Sequence, residues 1–578
     1  MERINEHEID LLVIGAGLHG LSAAKTYLGT RPYCKILILD SAASIGGVWA
    51  TERLYPGLKT NNVVGSYEYS DFPMELDRYE LKRDQHIPGH VVHRYLVDFA
   101  EHFSLSSRIR LQTKVDAATL GKDGIWRVDY SSFHSGDSLL AKKGVLMARN
   151  LVVATGLTSE PRMPSYPGQD DFQGHLFHSI QLNTRAQVLR EAKGNVVVVG
   201  ANKSAWDVCY MAAQLTSPQA TIHMVIRPSG RGPSWMWRRS GILNFLSISR
   251  LTSTRLFTWF DPSPLASPLQ HIFLTSWLGR LICTIFWALL DCLVLSTSGY
   301  LMVQDKLSRL QPWYSTFWMG NSLGVHNYET DWFEFVKKGK IVVHHAEVEG
   351  FVSEGQAICL SDGQVLKQVD AVVLCTGWEY TPNICFTPSV FTSRTDAKHI
   401  KGLQRKENDE ALQARKILGG ICPAILTKKE TSKYLTPFRF YRFMVPLNHQ
   451  LRQFDNIAFI GFYQSVHTML VAQAQALWIM AFFQRAIISP WPDVQTYRKW
   501  TYLNTEYQQL RRLGSPFPDL VLDVMPYIDL LLTDLGLVAS RKRGWWKDLV
   551  GQHRPGDYRG IVEEWAQTRP VKEKTVAT

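Results

Sequence analysis

Short apolar runs that end in glycine punctuate the chain. Ile9–Ile14 (IDLLVI) is nearly all apolar and has the length of a buried parallel strand. It runs into Gly15-Ala16-Gly17-Leu18-His19-Gly20, then a stretch with helical spacing (LSAAKTYL), then a second apolar run that closes at Asp40. The same order recurs downstream. Asn195–Gly200 (NVVVVG) enters GANKSA, a helical stretch follows, and Thr221–Ile226 reads as the next strand. Two further strands, Asn150–Gly156 (NLVVATG) and Asp370–Gly377 (DAVVLCTG), both end in Thr-Gly. The pattern predicts an α/β chain with two Rossmann-like dinucleotide-binding domains, linked by the two Thr-Gly strands. The first domain is expected to be discontinuous, over 1–157 and 379–490. The second, over 158–378, is inserted into it. Residues 491–578, opening at Pro490-Trp491-Pro492, read as a helical tail that packs back on the body.

The first glycine loop has the spacing that dinucleotide binding requires. Gly15 makes the tight turn, Gly17 lets the backbone approach a pyrophosphate, and Gly20 lets helix and strand pack closely. Asp40 lies twenty residues beyond Gly20, where a carboxylate accepts hydrogen bonds from a ribose. The second loop is degenerate. Asn202 replaces its second glycine, a substitution read as tolerance of positive φ, and Ala205 replaces its third. Gly200, Asn202, Lys203 and Ser204 are expected at the phosphates. The following strand ends at Arg227 instead of a carboxylate, which points to the 2′-phosphate of NADPH, with Lys203 or Arg231 assisting. Thr155 and Gly377, at the ends of the linking strands, are expected beside the cofactors.

Composition narrows the class. The 578 residues are 45% hydrophobic and 20% charged, so the chain is globular. Eight cysteines without a CxxC or a Cys/His ligand pattern give no disulfide scaffold and no metal site, and suggest a reducing, cytoplasmic setting. The net charge of +11 comes with no nucleic-acid motif. Cys375 sits inside an apolar strand and reads as packing. No Ser/His/Asp or paired-carboxylate constellation stands out, which suits chemistry carried by a cofactor.

Residues 242–303 form an apolar insertion unusual in a nucleotide domain. Within Ile272–Val303, Ser276, Arg280, Thr284 and Asp291 make one narrow polar stripe, about 80° wide on a helix. The uncharged runs, ten residues at Leu281–Leu290 and twelve at Cys292–Val303, fall short of the roughly 20 that span a bilayer. The expectation is a buried or substrate-channel helix, with contact to a membrane surface as the alternative. The basic run Arg541-Lys542-Arg543, followed by Trp545-Trp546-Lys547, reads first as a solvated face.

Several stretches together resemble the flavin-containing monooxygenases, the class that includes Baeyer–Villiger enzymes. Gly46-Gly47-Val48-Trp49 is similar to the second glycine pair of FAD-binding members. Phe172–Ser179 (FQGHLFHS) matches the FxGxxxHS core between the two glycine loops. Leu182-Asn183 stands where Baeyer–Villiger members carry Trp-Pro, which weighs against that reaction. Leu54–Asp71, Asn456–Gln464 and Gln473–Trp478 resemble the segments around the flavin ring, and the style of the chain resembles fungal secondary-metabolism members. The resemblance implies FAD near Gly47 and Trp49, reduction by NADPH, and a C4a-(hydro)peroxyflavin formed with O₂. That species inserts one oxygen atom into a lipophilic small molecule. It implies that Asn61 steadies the oxygen intermediate, with adjacent Asn62 as the alternative. A structural role is the expectation for His178, and His467 is expected to face the flavin through its backbone.

Overall fold

The computed structural model describes residues 8–133, 141–237, 248–298, 300, 305–319, 323–352, 355–391, 401–426, 438–488, 493–513 and 517–568. The Pro490-Trp491-Pro492 boundary and residues 242–247, 299 and 301–303 of the insertion lie outside them.

The first apolar run forms β1 (Ile9–Ile14), almost wholly buried, as a central parallel strand must be. The glycine turn leads into α1 (Leu18–Thr30), and β2 (Ile36–Leu39) returns parallel to β1, with Leu11 opposite Ile36 and Ile14 opposite Leu39. β3 (Lys59–Val63) stands outside this sheet. β4 (Ile109–Arg110) pairs beside β2. Then β5 (Thr113–Leu120), β6 (Trp126–Ser132) and β7 (Lys142–Val153) form an antiparallel meander. β7 has twelve residues and serves three neighbours, β6, β1 and a later parallel strand. Its first half pairs with β6, and its second half runs parallel to β1, with Val13 opposite Val152.

The second sheet is built from β8 (His175–His178), β9 (Asn195–Val199), β10 (Ile222–Val225), β11 (Ile341–His344) and β12 (Val369–Leu374). All its strand pairs are parallel, in the order β8-β12-β9-β10-β11. α2 (Lys203–Leu215) joins β9 to β10. The chain then returns to the first sheet. β13 (Cys385–Thr387) pairs with β5, and β14 (Ile457–Phe459) runs parallel to β7 on the side away from β1.

Between β10 and β11 the insertion forms α3 (Pro268–Thr275) and α4 (Trp277–Thr297). Ser267 and Gln270 make a reciprocal capping box at the start of α3, and Ser276 Oγ accepts from Gly279 N at 3.0 Å to start α4. Ser276 therefore splits the apolar stretch. Neither Arg280 nor Asp291 breaks α4, which runs for 21 residues and is long and apolar enough to cross a membrane by length and composition alone. This corrects the count of uncharged runs. Nor is the helix buried throughout: one stripe (Gly279, Trp287, Leu290, Val294) packs inward, whereas Leu289 is 65% exposed.

α5 (Thr468–Phe483) is apolar on every side and almost wholly buried against α1. Its two glutamines are satisfied inside the core. Gln475 Oε1 accepts from Gly461 N at 3.2 Å while its Nε2 donates to Tyr527 OH at 2.8 Å, and Gln473 Oε1 accepts from Ser70 N at 2.9 Å. α6 (Val494–Arg511), α7 (Val524–Asp534) and α8 (Trp545–Val550) follow. Tyr497, Tyr527, Ile528 and Trp565 join the same core as β1, α1 and α5, so the C-terminal region packs back on the first domain.

Candidate functional site

A cleft of about 680 Å³ opens at the carboxyl ends of β1, β2 and β7, where open α/β sheets place their ligands. One end holds Asp40, Ala42 and Thr113–Val115. The middle is floored by Gly15, Gly17, Gly46 and Gly47. The far end is bounded by Arg53, Tyr67, Tyr463 and Gln464.

The glycines have separate reasons. Gly15 adopts φ +113°, and a Cβ there would lie 2.5 Å from Ala154 O. Gly17 is extended, at φ −76°, but faces Gly46 and Gly47 across a close backbone approach. A Cβ on Gly20 would lie 1.9 Å from Gly15 O, so this glycine is needed behind the turn and not on the cleft wall.

Asp40 ties the turn to its neighbour. Its Oδ2 accepts from Ala16 N at 2.6 Å and its Oδ1 from Ala42 N at 2.8 Å. Burial pushes its pKa up, and the two N–H groups pull it back. Lone pairs remain for a ribose on the cleft side. Thr155 also lines the cleft, and its buried Oγ1 has no hydrogen-bond partner among the described residues. That orphaned hydroxyl suits a polar ligand edge.

Sequence reasoning missed several groups around Arg53 and Tyr463 in the cleft. Arg53 donates from Nη1 to Thr158 O at 2.8 Å and lies 5.1 Å from the Trp378 ring. Burial pulls its pKa down to about 10, which still leaves it charged at neutral pH. Tyr67 OH accepts from Trp49 Nε1 at 3.0 Å and is pushed up to about 12 by burial. Trp49 thus sits behind Tyr67, outside the cleft lining where the sequence reading placed it. His19, a variable position of the glycine motif, also lines the cleft, with its Nε2 2.9 Å from Tyr463 OH. The only signal for these residues was proximity to the glycine motifs and to the Tyr-Pro-Gly turn after Arg53.

Asn61 projects from β3 as an exposed side chain outside the cleft lining. Its neighbour Asn62 is buried and donates from Nδ2 to Val466 O at 2.7 Å. His467 is buried beside Ser253, with Nε2 3.0 Å from Ser253 Oγ, while adjacent Thr468 lines the cleft. His178 Nε2 lies 3.1 Å from Gly377 O. Gly377 itself adopts the left-handed region at φ +88° and lies outside the cleft lining.

The second loop forms a separate turn. Gly200 packs against Cys375 O, which a Cβ would approach to 2.6 Å. Asn202 is extended, at φ −87°, so the positive-φ argument for it is corrected: like Gly17, it heads a helix from extended backbone. Its Oδ1 accepts from Ser234 Oγ at 3.2 Å instead of capping α2. Neither α1 nor α2 carries a side-chain cap, so the first-turn N–H groups of both point to open anion sites. Ser204 is exposed in the first turn of α2 and Arg227 is exposed after β10. Lys203 is committed elsewhere. It pairs with Asp207 and donates to Asn327 Oδ1 at 3.0 Å, so its charge is already matched.

Two glycine turns that each lead from a parallel strand into a helix without a side-chain cap, with Asp40 at the end of β2 beside the first, are the architecture of a protein with two Rossmann-like domains. The sequence relationships agree. Residues 9–260 match the family model described as flavin-binding monooxygenase-like. The FAD-dependent monooxygenase resA of Aspergillus sclerotiorum is 33% identical, covering 98% of this chain and 99% of its own. An FAD-dependent monooxygenase of Pyrenophora dematioidea is 32% identical, covering 92% of this chain and 99% of its own. The chain belongs to this family of flavin-dependent monooxygenases, and its cofactor is FAD. Solved structures share the fold. The polycyclic ketone monooxygenase of Thermothelomyces thermophila is 16% identical, with TM-score 0.58 over 92% of this chain and 89% of that one. Closed cyclohexanone monooxygenase is also 16% identical, with TM-score 0.59 over 92% and 97%.

Proposed function

We propose that this monooxygenase takes its electrons from NADPH and inserts one atom of O₂ into a lipophilic small molecule, as a tailoring step in fungal secondary metabolism. The observation that carries the reading is the cleft itself, with Asp40 at one end and Arg53 and Tyr463 at the other, beside a second glycine turn followed by Arg227. In this reading Gly15, Gly17, Asp40, Gly47 and Thr155 hold FAD. FAD, when bound, supplies the hydride acceptor and the site of O₂ activation. Arg53 would supply a fixed positive charge on the cleft wall to offset negative charge on the reduced cofactor. Tyr67 and His19 stay neutral and present only hydrogen-bonding groups. Gly200, Asn202 and Ser204 would hold the NADPH phosphates, and Arg227, with Arg231 nearby, would pair with the 2′-phosphate. Asn61, exposed on β3 and outside the cleft lining, is not assigned a role at the reacting oxygen. All eight cysteines are free, which supports a reducing, cytoplasmic location.

Stopped-flow absorbance tests the reading. The purified flavoprotein is reduced anaerobically with NADPH or NADH and then mixed with oxygenated buffer. Faster reduction by NADPH, a preference lost in Arg227→Ala, and a lag before oxidised flavin returns are the expected results. Equal rates with both nucleotides overturn the NADPH assignment. Immediate reoxidation with stoichiometric H₂O₂ overturns oxygen insertion in favour of an oxidase.

A further inference from the structure

α4 carries two apolar stripes, and the fold uses one. The inward stripe meets Trp235, Phe257 and Met319, and Trp287 Nε1 donates to Phe260 O at 2.8 Å. Asp291 Oδ1 accepts from Thr316 N at 2.8 Å, so the polar side of the helix is also anchored to the body. Leu278, Leu281, Ile282, Ile285 and Leu289 recur at helical spacing on the opposite side, all exposed. Ile272 on α3 and Trp277, 77% exposed, extend this face. α5 is the internal contrast: equally apolar, it is buried all round.

A helix fixed to the body along one side cannot cross a bilayer, but it can lie in the interface with its free face down. The charges favour that occupant. No Asp or Glu is exposed on α3 or α4, and Arg280 stands in the polar stripe with Asp291, its Nη2 donating to Gly420 O at 3.2 Å, so the free face carries no charge of either sign. A second exposed element sits alongside. Arg255 binds Asp548 at the base of α8 through Nε at 2.8 Å, and the turn that follows it, Leu256–Phe260, stacks Phe260 on Phe286 of α4 at 4.0 Å. That tether holds exposed Arg543, Trp545, Trp546 and Lys547 next to the insertion. Indole rings and cations beside an aliphatic face are the chemistry of a bilayer interface with anionic headgroups.

We propose that α3 and α4 dock flat on an anionic membrane surface, with the Arg543–Lys547 turn as the cationic contact beside them. The helix enters no deeper than its free stripe. This inference does not depend on the reductant or substrate assigned above.

Co-sedimentation of the full-length FAD-loaded protein with phosphatidylcholine vesicles, with and without phosphatidylserine, tests it. The expected result is binding to the anionic vesicles that weakens with salt. The combined variant L281S/I285S/L289S loses it more than about tenfold. R543E/K547E loses only the dependence on phosphatidylserine. Retained flavin absorbance confirms that both variants are folded. Wild-type protein that ignores both vesicle types overturns the proposal. So does a wild-type dimer, seen by light scattering, that L281S/I285S/L289S converts to monomer, because the face then belongs to a second copy of the chain.

Discussion

At the scale of the residue, the cleft turns on small groups whose neighbours fix their chemistry. Tyr463 OH donates to Thr468 O at 3.2 Å, so the ring of His19 must supply the proton between them from Nε2. Burial pulls His19 down to about 3, so it is neutral at working pH, and its Nδ1 is left as an acceptor. Asp40 is more exposed to test. Asp40→Ala frees Ala16 N and Ala42 N and removes the ribose acceptor, so FAD affinity should fall by about 10- to 100-fold, measured by flavin fluorescence on titration. Gly20→Ala should cost about 1–3 kcal/mol, because the helix must shift away from Gly15 O, and a lowered melting temperature with reduced flavin content is the readout.

Elements, more than residues, join the two domains. Asn327, between β10 and β11, donates from Nδ2 to Lys59 O at 3.3 Å and Thr60 O at 3.2 Å on β3, and its Oδ1 accepts from Lys203 of α2. Lys59 also pairs with Glu329 at 2.8 Å. This clasp holds β3, and with it Asn61, against the second domain. Asn327→Ala should therefore slow flavin reduction by NADPH several-fold while leaving FAD content unchanged, a split that single-turnover kinetics resolves. α5 gives an acid-sensitivity test. His467 precedes its first turn, buried beside Ser253 and near His553, which faces Asp548 and Arg255. Burial, then the charge of His553, pulls its pKa to about 4. The unfolded chain, near 6.5, binds a proton that the native state refuses, so stability is complete above pH 6.5 and falls as pH drops toward 4. The loss is of order 3 kcal/mol. His467→Gln, which keeps a donor toward Ser253, should flatten melting temperature against pH in that window.

The same elements explain what was legible in sequence. Strands β1, β9 and β12 were visible because both of their faces are buried and a glycine must end each one. The antiparallel part of the meander, β5, β6 and the first half of β7, was not, because half-buried alternation such as Thr113–Leu120 carries no such punctuation; only the end of β7, Asn150–Val153, was read as a strand. α4 was misjudged because charges were counted as breaks, whereas Asp291 is absorbed by the Thr316 backbone and side chain. Asn61 and Arg53 show the limit at the site. Residue type is readable from a motif, but which side chain turns to the cleft is set by packing across β3 and the domain link.

At the scale of the molecule, a buried ionic cluster locks the insertion, the C-terminal region and the flavin cleft together. Asp261, just before α3, accepts from Arg511 Nη2 at 2.6 Å and from Tyr507 OH at 2.8 Å, both on α6. Arg512 lies 3.6 Å from Asp519, and Gln508 Nε2 donates to Asp523 at 3.1 Å. The next segment reaches the cleft: Gln464 N donates to Pro518 O at 3.0 Å, and Leu520 N donates to Gln464 O at 2.7 Å. Asp261 and Asp523 are unlike partners. Arg511 holds Asp261 below the ordinary carboxylate range against the cost of burial, while burial and the Asp261 charge push Asp523 well above it. So the cluster of three carboxyls and two guanidiniums is best balanced with Asp523 protonated. Removing one cation leaves a buried carboxylate unmatched, a change that costs about 3–5 kcal/mol. Arg511 also lies 3.5 Å from the Phe317 ring and 5.3 Å from Trp287 of α4, so its loss opens the packing under the insertion too. Arg511→Ala should therefore lower the melting temperature by several degrees, release FAD and make the α3–α4 region protease-sensitive in one step. The matched pair change Arg511→Met with Asp261→Leu removes both charges and should recover most of that stability. If flavin retention and protease resistance respond separately in Arg511→Ala, the insertion and the cleft are independent units, and the cluster joins only α6 to α3.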